Sequence, residues 1–344
     1  MALTTVVDRN VRLVTAVIFN PTARGEKATA FLAQLTAAAA GSSGAGRNSD
    51  GAVVLKPTRG PGDATHLARE AVAEGVTTVV AAGGDGTVNE VVNGIALVPE
   101  GPSRTRLGVL PLGTVNVFAK ELGIPTDFAS SWRTLAEGRE LVLDLGIADS
   151  RPLTNGDPST SADTQRRWFI QMAGAGLDSL SLSRVNWALK KKVGPLAYVW
   201  AGMQTLFGPL PFIEAEVDGR RTQGQIAMIG NGRFYGGRWV VFPHAHSSDG
   251  LLDLAVVQRI SPIRFPFQFA ALARGRFGSA RDVVHWQGRS VTLRPARPND
   301  QVPFHVEGDN VGQLSATFAL DPRRIRVIVP QASISAGAAR LERR

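Results

Sequence analysis

A run rich in β-branched residues at positions 76–82 passes directly into Gly83-Gly84-Asp85-Gly86-Thr87-Val88-Asn89-Glu90, and residues 88–95 then read as a helix. A short buried strand that turns through glycines and restarts as a helix is the repeating unit of a parallel α/β sheet. Such a turn aims backbone N–H groups and a helix dipole at an anion. The glycines let the backbone approach a phosphate closely, and Thr87 adds a hydroxyl donor. Asp85 repels phosphate unless a cation intervenes, so it points to Mg²⁺ held nearby. A turn that merely needs glycine would not require the Asp and the Thr.

The same unit recurs along the first half of the chain. A strand at 13–19 ends in Asn20-Pro21-Thr22-Ala23-Arg24-Gly25 and feeds a helix at 26–40. After the Gly/Ser/Ala-rich stretch 41–51, a strand at 52–55 leads through Thr58 to Asp63, the expected N-cap of a helix at 64–74. A strand at 107–110 ends in Pro111-Leu112-Gly113-Thr114-Val115-Asn116-Val117-Phe118, and helices at 118–122 and 128–137 precede a strand at 140–147. Polar turns at strand C-termini are where open α/β sheets place ligands.

Beyond residue 149 the character changes. Residues 149–166 are polar, and the strands that follow, at 168–172, 213–218, 224–230, 252–258, 290–294, 304–307 and 316–320, lack regular helical partners. Turns such as Asp218-Gly219 and Asp249-Gly250 punctuate them, which predicts a mostly antiparallel β-sandwich. The expected division is an α/β domain over 1–148, a sandwich over 149–322 and a tail over 331–344, with a closing strand at 324–330 that can return to the first domain. With 344 residues, each domain is large enough for its own core.

The chain has no cysteine, which excludes disulfides, thiolate metal sites and a cysteine nucleophile and permits a reducing compartment. Its net charge of +9 favours an acidic partner, whether nucleotide, nucleic acid or anionic membrane surface. The basic residues are dispersed and no recognition module appears, which argues against nucleic acid. Residues 193–213 carry no charge and follow Lys190-Lys191-Lys192, but Gly-Pro pairs leave only 196–207 as continuous helix, too short to span a bilayer. That helix, and the aromatic and arginine run Ile263-Arg264-Phe265-Pro266-Phe267-Gln268-Phe269, are candidate lipid contacts.

Four motifs in chain order, Asn20-Pro21-Thr22, residues 83–90, residues 111–118 and Glu307-Gly308-Asp309, resemble those of the diacylglycerol kinase catalytic family, which includes bacterial lipid kinases and sphingosine kinases. The resemblance implies an α/β domain like that of NAD kinases and phosphofructokinases, a C-terminal sandwich, and ATP in the cleft between them. Asn20, Pro21, Thr22, Ala23, Arg24, Thr58, Gly83, Gly84, Asp85, Gly86, Thr87, Val88, Asn89 and Thr114 would line the nucleotide. Asp309 would be the catalytic base and Glu307 the supporting acid, the reverse order of the family's Asp-Gly-Glu. An aspartate is shorter than a glutamate by about 1.5 Å, which matters for proton transfer and leaves Glu307 as the alternative base.

Two further departures are Arg24, where glycine is common, and Val117, where the family has an aspartate that joins the counterparts of Asp85 and Asp144 around Mg²⁺. A structural Mg²⁺ would map to Asp249 with the carbonyls of His246 and Leu251. Asp178 stands where sphingosine kinases have an acid near the lipid head. The implied activity is ATP- and Mg²⁺-dependent phosphorylation of a lipid hydroxyl, by a cytoplasmic protein associated peripherally with membrane; a homodimer is compatible with it. A kinase acting on a soluble substrate, as NAD kinase does, and a non-catalytic nucleotide- or lipid-binding protein are the alternatives.

Overall fold

A computed structural model describes residues 14–21, 28–42, 52–150, 165–183, 202–237, 239–275, 277 and 282–333. Thr22, Ala23 and Arg24, the lysine cluster and the first half of the helix expected at 196–207 lie outside the described residues.

The first half is a parallel sheet with helices on both faces. Strands β1 (Thr15–Phe19), β2 (Val53–Pro57), β3 (Thr78–Gly83) and β4 (Arg106–Pro111) stand in the order β2-β1-β3-β4, all parallel. Alternation along each strand feeds two cores. Ala16, Ile18, Val79 and Ala81 pack towards α2 (Asp63–Ala73) and α3 (Asp85–Ala96). Val17, Phe19, Val80 and Ala82 pack on the other face with Phe31 and Leu35 of α1 (Ala28–Ser42) and with Phe128 and Trp132 of the helix that follows residue 127.

The second half is a sandwich, as expected. A six-stranded, wholly antiparallel sheet contains β7 (Met172–Gly176), β10 (Ile226–Gly230), β13 (Leu252–Val257), β14 (Val283–Gly288), β16 (Pro303–Val306) and β17 (Asp309–Gln313). Its inner face, with Leu252, Leu254, Val256, Phe304 and Val306, packs on Ile213, Ala215, Val217, Val291, Leu293 and Phe318 of the opposing strands. Those opposing strands extend the α/β sheet itself. Strand β18 (Ala316–Val329) runs parallel to β4 at its C-terminal end and antiparallel to β15 (Ser290–Pro295) at its N-terminal end. Strand β5 (Arg139–Ser150) accompanies it along that length.

Four details differ from the sequence reading. The strands expected at 316–320 and 324–329 are one, with a register shift between Leu320 and Arg324. Asp321 makes this continuity possible: it accepts from Arg323 N at 2.9 Å and from Trp168 Nε1 at 2.8 Å. The strand expected at 168–172 is two, β6 (Gln165–Phe169) and β7, separated by Ile170 and Gln171. Helix α3 begins at Asp85 and not at Val88. Asp63 is not the cap of α2; Gly62 is, with φ of 84°. Glu90 of α3 satisfies that helix end, accepting from Gly62 N at 2.8 Å and Ala64 N at 3.1 Å.

Candidate active site

The parallel strands place the turns after β1, β2, β3 and β4 at one edge of the sheet. Asn20 and Thr58 lie there side by side, with Thr58 N donating to Phe19 O at 2.9 Å. The turns after β3 and β4 touch. A Cβ on Gly113 would stand 2.6 Å from the Gly84 Cα, and one on Gly83 would stand 2.3 Å from Thr87 Oγ1, so both positions need glycine for close approach. Beyond Gly84, the first amides of the twelve-residue α3 have no partner inside the helix and face the cleft.

That cleft, about 670 Å³, joins two unlike ends. One is made by Gly84, Asp85, Gly86, Gly113 and Thr114; the other by Leu177, Met228, Trp239, Phe265, Phe269 and Leu272, with Glu307 and Asp309 in the same lining. Of the residues expected at the nucleotide, Gly84, Asp85, Gly86 and Thr114 line the cleft. Val88 packs into the core and Asn89 accepts from Asn93 Nδ2 at 2.9 Å.

Asp85 is held at the start of α5 (Val117–Glu121), whose Phe118 amide donates to Asp85 Oδ1 at 3.4 Å. Burial raises its carboxyl above the usual range, and the amides of Phe118, Val117 and Asn116 pull it back part of the way. Val117 thus contributes its backbone at the position where the resembled family has an aspartate side chain. Asn116 adopts the left-handed conformation, φ of 52°, and ties the turn by donating to Gly113 O at 2.7 Å.

Glu307 and Gly308 form a two-residue hairpin turn between β16 and β17, both with positive φ, 52° and 87°. Left-handed geometry at a glutamate costs on the order of 1 kcal/mol and here fixes where the acid points. Glu307 Oε1 accepts from Ile170 N and Gln171 N, each at 2.8 Å. Burial pushes its carboxyl up to about 7 against the opposing pull of those amides, and nearby Asp85 adds to the rise. Asp309 is exposed, and its Oδ2 lies 3.7 Å from where a Cβ on Gly86 would stand. The hairpin therefore offers one half-buried acid and one exposed acid beside the phosphate loop.

Two sets of contacts, one of them around Asp178, are not legible in the sequence. Asp178 of α7 (Leu177–Ser183) accepts from His305 Nε2 at 2.8 Å and from the Tyr235 hydroxyl. Gly308 N donates to His305 Nδ1 at 3.3 Å, leaving Nε2 as the donor to Asp178. Burial raises the Asp178 carboxyl, but attraction and hydrogen bonding from His305, with the Tyr235 hydroxyl, outweigh it and the net shift is downward. The period-two spacing of His305 and Glu307 is a signal that both face one side; nothing local marks Tyr235. The second group centres on Glu121 of α5, which pairs with Arg233 Nε at 2.9 Å and accepts from the amides of Arg233 and Phe234. It fastens the two domains beside the cleft.

Asp144, which the resemblance places near Mg²⁺, pairs with Arg324 Nε at 2.8 Å and accepts from Gly250 N at 2.7 Å. The Asp249 turn closes on itself: His246 O accepts from Ser248 N and Asp249 N, and Asp249 Oδ1 from Leu251 N. Among the described residues no three His, Asp or Glu side chains converge as a metal cage. Asp85, on the phosphate loop itself, fits the other common Mg²⁺ arrangement, one carboxylate sharing the ion with nucleotide phosphates.

Comparison with known proteins finds relatives of both halves of the chain. Residues 15–148 match the family described as diacylglycerol kinase catalytic domain, and residues 171–329 match the YegS C-terminal NAD kinase beta sandwich-like domain. The chain is 32% identical over 277 residues to a diacylglycerol kinase of Staphylococcus carnosus (strain TM300), covering 80% of this chain and 83% of that one. It is 30% identical over 274 residues to a diacylglycerol kinase of Bacillus subtilis (strain 168), covering 78% and 83%. A solved diacylglycerol kinase structure from Bacillus anthracis str. Sterne has the same fold, with a TM-score of 0.66 at 20% identity over 94% of this chain and 98% of that one.

Proposed function

The chain belongs to the diacylglycerol kinase catalytic family, and from that premise we propose that it transfers the γ-phosphoryl group of ATP to a hydroxyl of diacylglycerol or a closely related lipid, working peripherally at the cytoplasmic leaflet. The observation that carries this reading is one cleft with a phosphate-loop end, an apolar end and the acids Asp85, Asp178, Glu307 and Asp309 in its lining. A soluble polar acceptor such as NAD has no use for walls of Leu177, Met228, Trp239 and Phe269.

In this reading the amides at the start of α3 receive the ATP phosphates, and the backbone turn at Gly113 and Thr114 closes on them. Asp85 would hold Mg²⁺ beside the nucleotide, and the ion would supply neutralisation of charge on the transferring group. Two observations favour Glu307 over Asp309 as the group that takes the hydroxyl proton. Its carboxyl titrates at about 7, matched to accepting a proton near neutral pH, and its Oε1 is anchored by two amides, which orients Oε2. Asp309, beside the phosphate loop, then orients the nucleotide end. Asp178, held by His305 and Tyr235, meets the polar head of the lipid.

The test is incubation with γ-labelled ATP, Mg²⁺ and, separately, diacylglycerol, a sphingoid base, ceramide and phosphatidylglycerol in mixed micelles, with NAD in plain buffer. The reading expects label in diacylglycerol or a close relative. Label in NAD alone, or ATP binding with no labelled product, would replace it with one of the other two readings.

A further inference from the structure

Helix α8 (Phe265–Ala273), sequence FPFQFAALA, contains no buried residue despite being almost wholly apolar. One side of it walls the cleft through Phe265, Phe269 and Leu272. Phe265 and Leu272 pack against the buried cluster that contains Leu206, and Phe269 meets Trp239 edge-on at 5.3 Å. Its outer side leaves Phe267 75% exposed, Ile263 just before the helix 80% exposed, and Phe207, next to Leu206, 77% exposed. The other exposed large hydrophobics are at most 47% exposed. Single exposed apolar residues need no explanation, but the three most exposed in the described structure gather around the helix that encloses the apolar end of the cleft.

The charge around this helix has one dominant sign. Residues 259–275 contain three arginines and no acid. Arg264 sits at the N-cap of α8, paired with Asp282 at 2.7 Å. Arg274 ends the helix and donates to Ala270 O at 3.3 Å. Arg259 is exposed beside it, its carbonyl accepting from Gln268 Nε2 at 3.1 Å. Apolar tips framed by guanidinium groups match the layered chemistry of an anionic bilayer, acyl chains beneath phosphates.

We propose that α8, with Phe207, Ile263 and Phe267, is the surface that docks on a bilayer containing anionic phospholipid, so that the apolar end of the cleft opens towards the leaflet and the lipid enters without crossing water. This rests on the lipid-kinase reading and assigns its membrane-facing side. The three docking side chains do not line the cleft, so docking and chemistry are separable by mutation.

The experiment uses the full chain with Phe207→Ser, Ile263→Ser and Phe267→Ser combined, and separately Arg259→Glu with Arg274→Glu. Cosedimentation is measured with vesicles of phosphatidylcholine alone and of phosphatidylcholine with phosphatidylglycerol. Phosphorylation is measured on vesicle-borne diacylglycerol and on a short-chain diacylglycerol dissolved as monomer. The triple variant is expected to lose about tenfold or more in vesicle binding and to lose activity on vesicle-borne substrate in parallel, while keeping its rate on the monomeric one. The arginine variant is expected to lose the preference for anionic vesicles. Unchanged vesicle binding by the triple variant overturns the proposal, as does a change only in its oligomeric state, which would make this face a contact between copies. If the wild type phosphorylates neither substrate, the kinase reading fails, and the vesicle-binding comparison still decides the docking surface.

Discussion

The Ile170 amide donates a 2.8 Å hydrogen bond to Glu307 Oε1, so the short turn between β6 and β7 sets the direction of the acid at the tip of the neighbouring hairpin. That turn, which in the sequence looks like the middle of one strand, thus belongs to the proposed active site. Burial holds the Glu307 carboxyl at about 7, up from 4.5.

That shift predicts opposite pH trends for stability and activity. The folded protein binds this proton more tightly than the unfolded chain, so the contribution to stability is full below about 4.5 and is lost as pH rises through about 7. Activity needs the ionised base and is expected to rise over the same upper range. Glu307→Gln keeps an oxygen for the two amides but cannot ionise. Urea denaturation at about pH 8 is expected to show it more stable than the wild type, with transfer slowed about 100-fold or more.

Tyr235 supports Asp178 from the sandwich side. Tyr235→Phe removes a hydrogen bond to a charged acceptor, worth about 1.5 to 3 kcal/mol. If Asp178 meets the lipid head, KM for lipid rises about tenfold and KM for ATP stays constant. Equal changes in both would make the network a scaffold only.

Glu121 and Arg233 join α5 to the loop after β10. Glu121→Ala leaves the partly buried Arg233 guanidinium and two amides without their acceptor, at a cost of about 2 kcal/mol or more. A lowered Tm is expected, together with weaker ATP binding by calorimetry, because α5 also carries the amides that hold Asp85. Loss of stability with unchanged ATP affinity would separate the latch from the site.

Asp85 and Asp144 are expected to respond differently to magnesium. Asp85→Asn should raise the Mg²⁺ concentration needed for half-maximal transfer about tenfold, since it removes the carboxylate at the phosphate loop. Asp144→Asn breaks the ion pair with Arg324 and is expected to lower the Tm with an unchanged Mg²⁺ requirement. A Mg²⁺ titration of both variants checks this; a shift only in Asp144→Asn would restore the magnesium network expected from the resemblance.

Much of this arrangement is written locally. The alternation at residues 16–19 and 79–82 serves two helix layers, and Gly83 and Gly113 stand where the backbone has no room for a Cβ. The turn at Glu307-Gly308 is as tight as its sequence suggests. What the sequence hides depends on partners far along the chain. Glu90 looks like the end of a phosphate motif but caps α2. Asp321-Pro322-Arg323 looks like a strand break but is bridged by hydrogen bonds to Asp321 from Arg323 and Trp168. The ion pair of Asp144 with Arg324 forms only when β18 brings Arg324 against β5. Tyr235 and His305 come together only when β16 lies beside β7.

The account stands most directly on transfer from γ-labelled ATP to diacylglycerol in mixed micelles by the wild type, Glu307→Gln and Asp309→Ala, with ATP affinity measured on the same preparations. It predicts labelled lipid from the wild type, a loss of about 100-fold or more in Glu307→Gln at unchanged ATP affinity, and a smaller loss in Asp309→Ala with weakened ATP binding. Undiminished transfer by Glu307→Gln would contradict it.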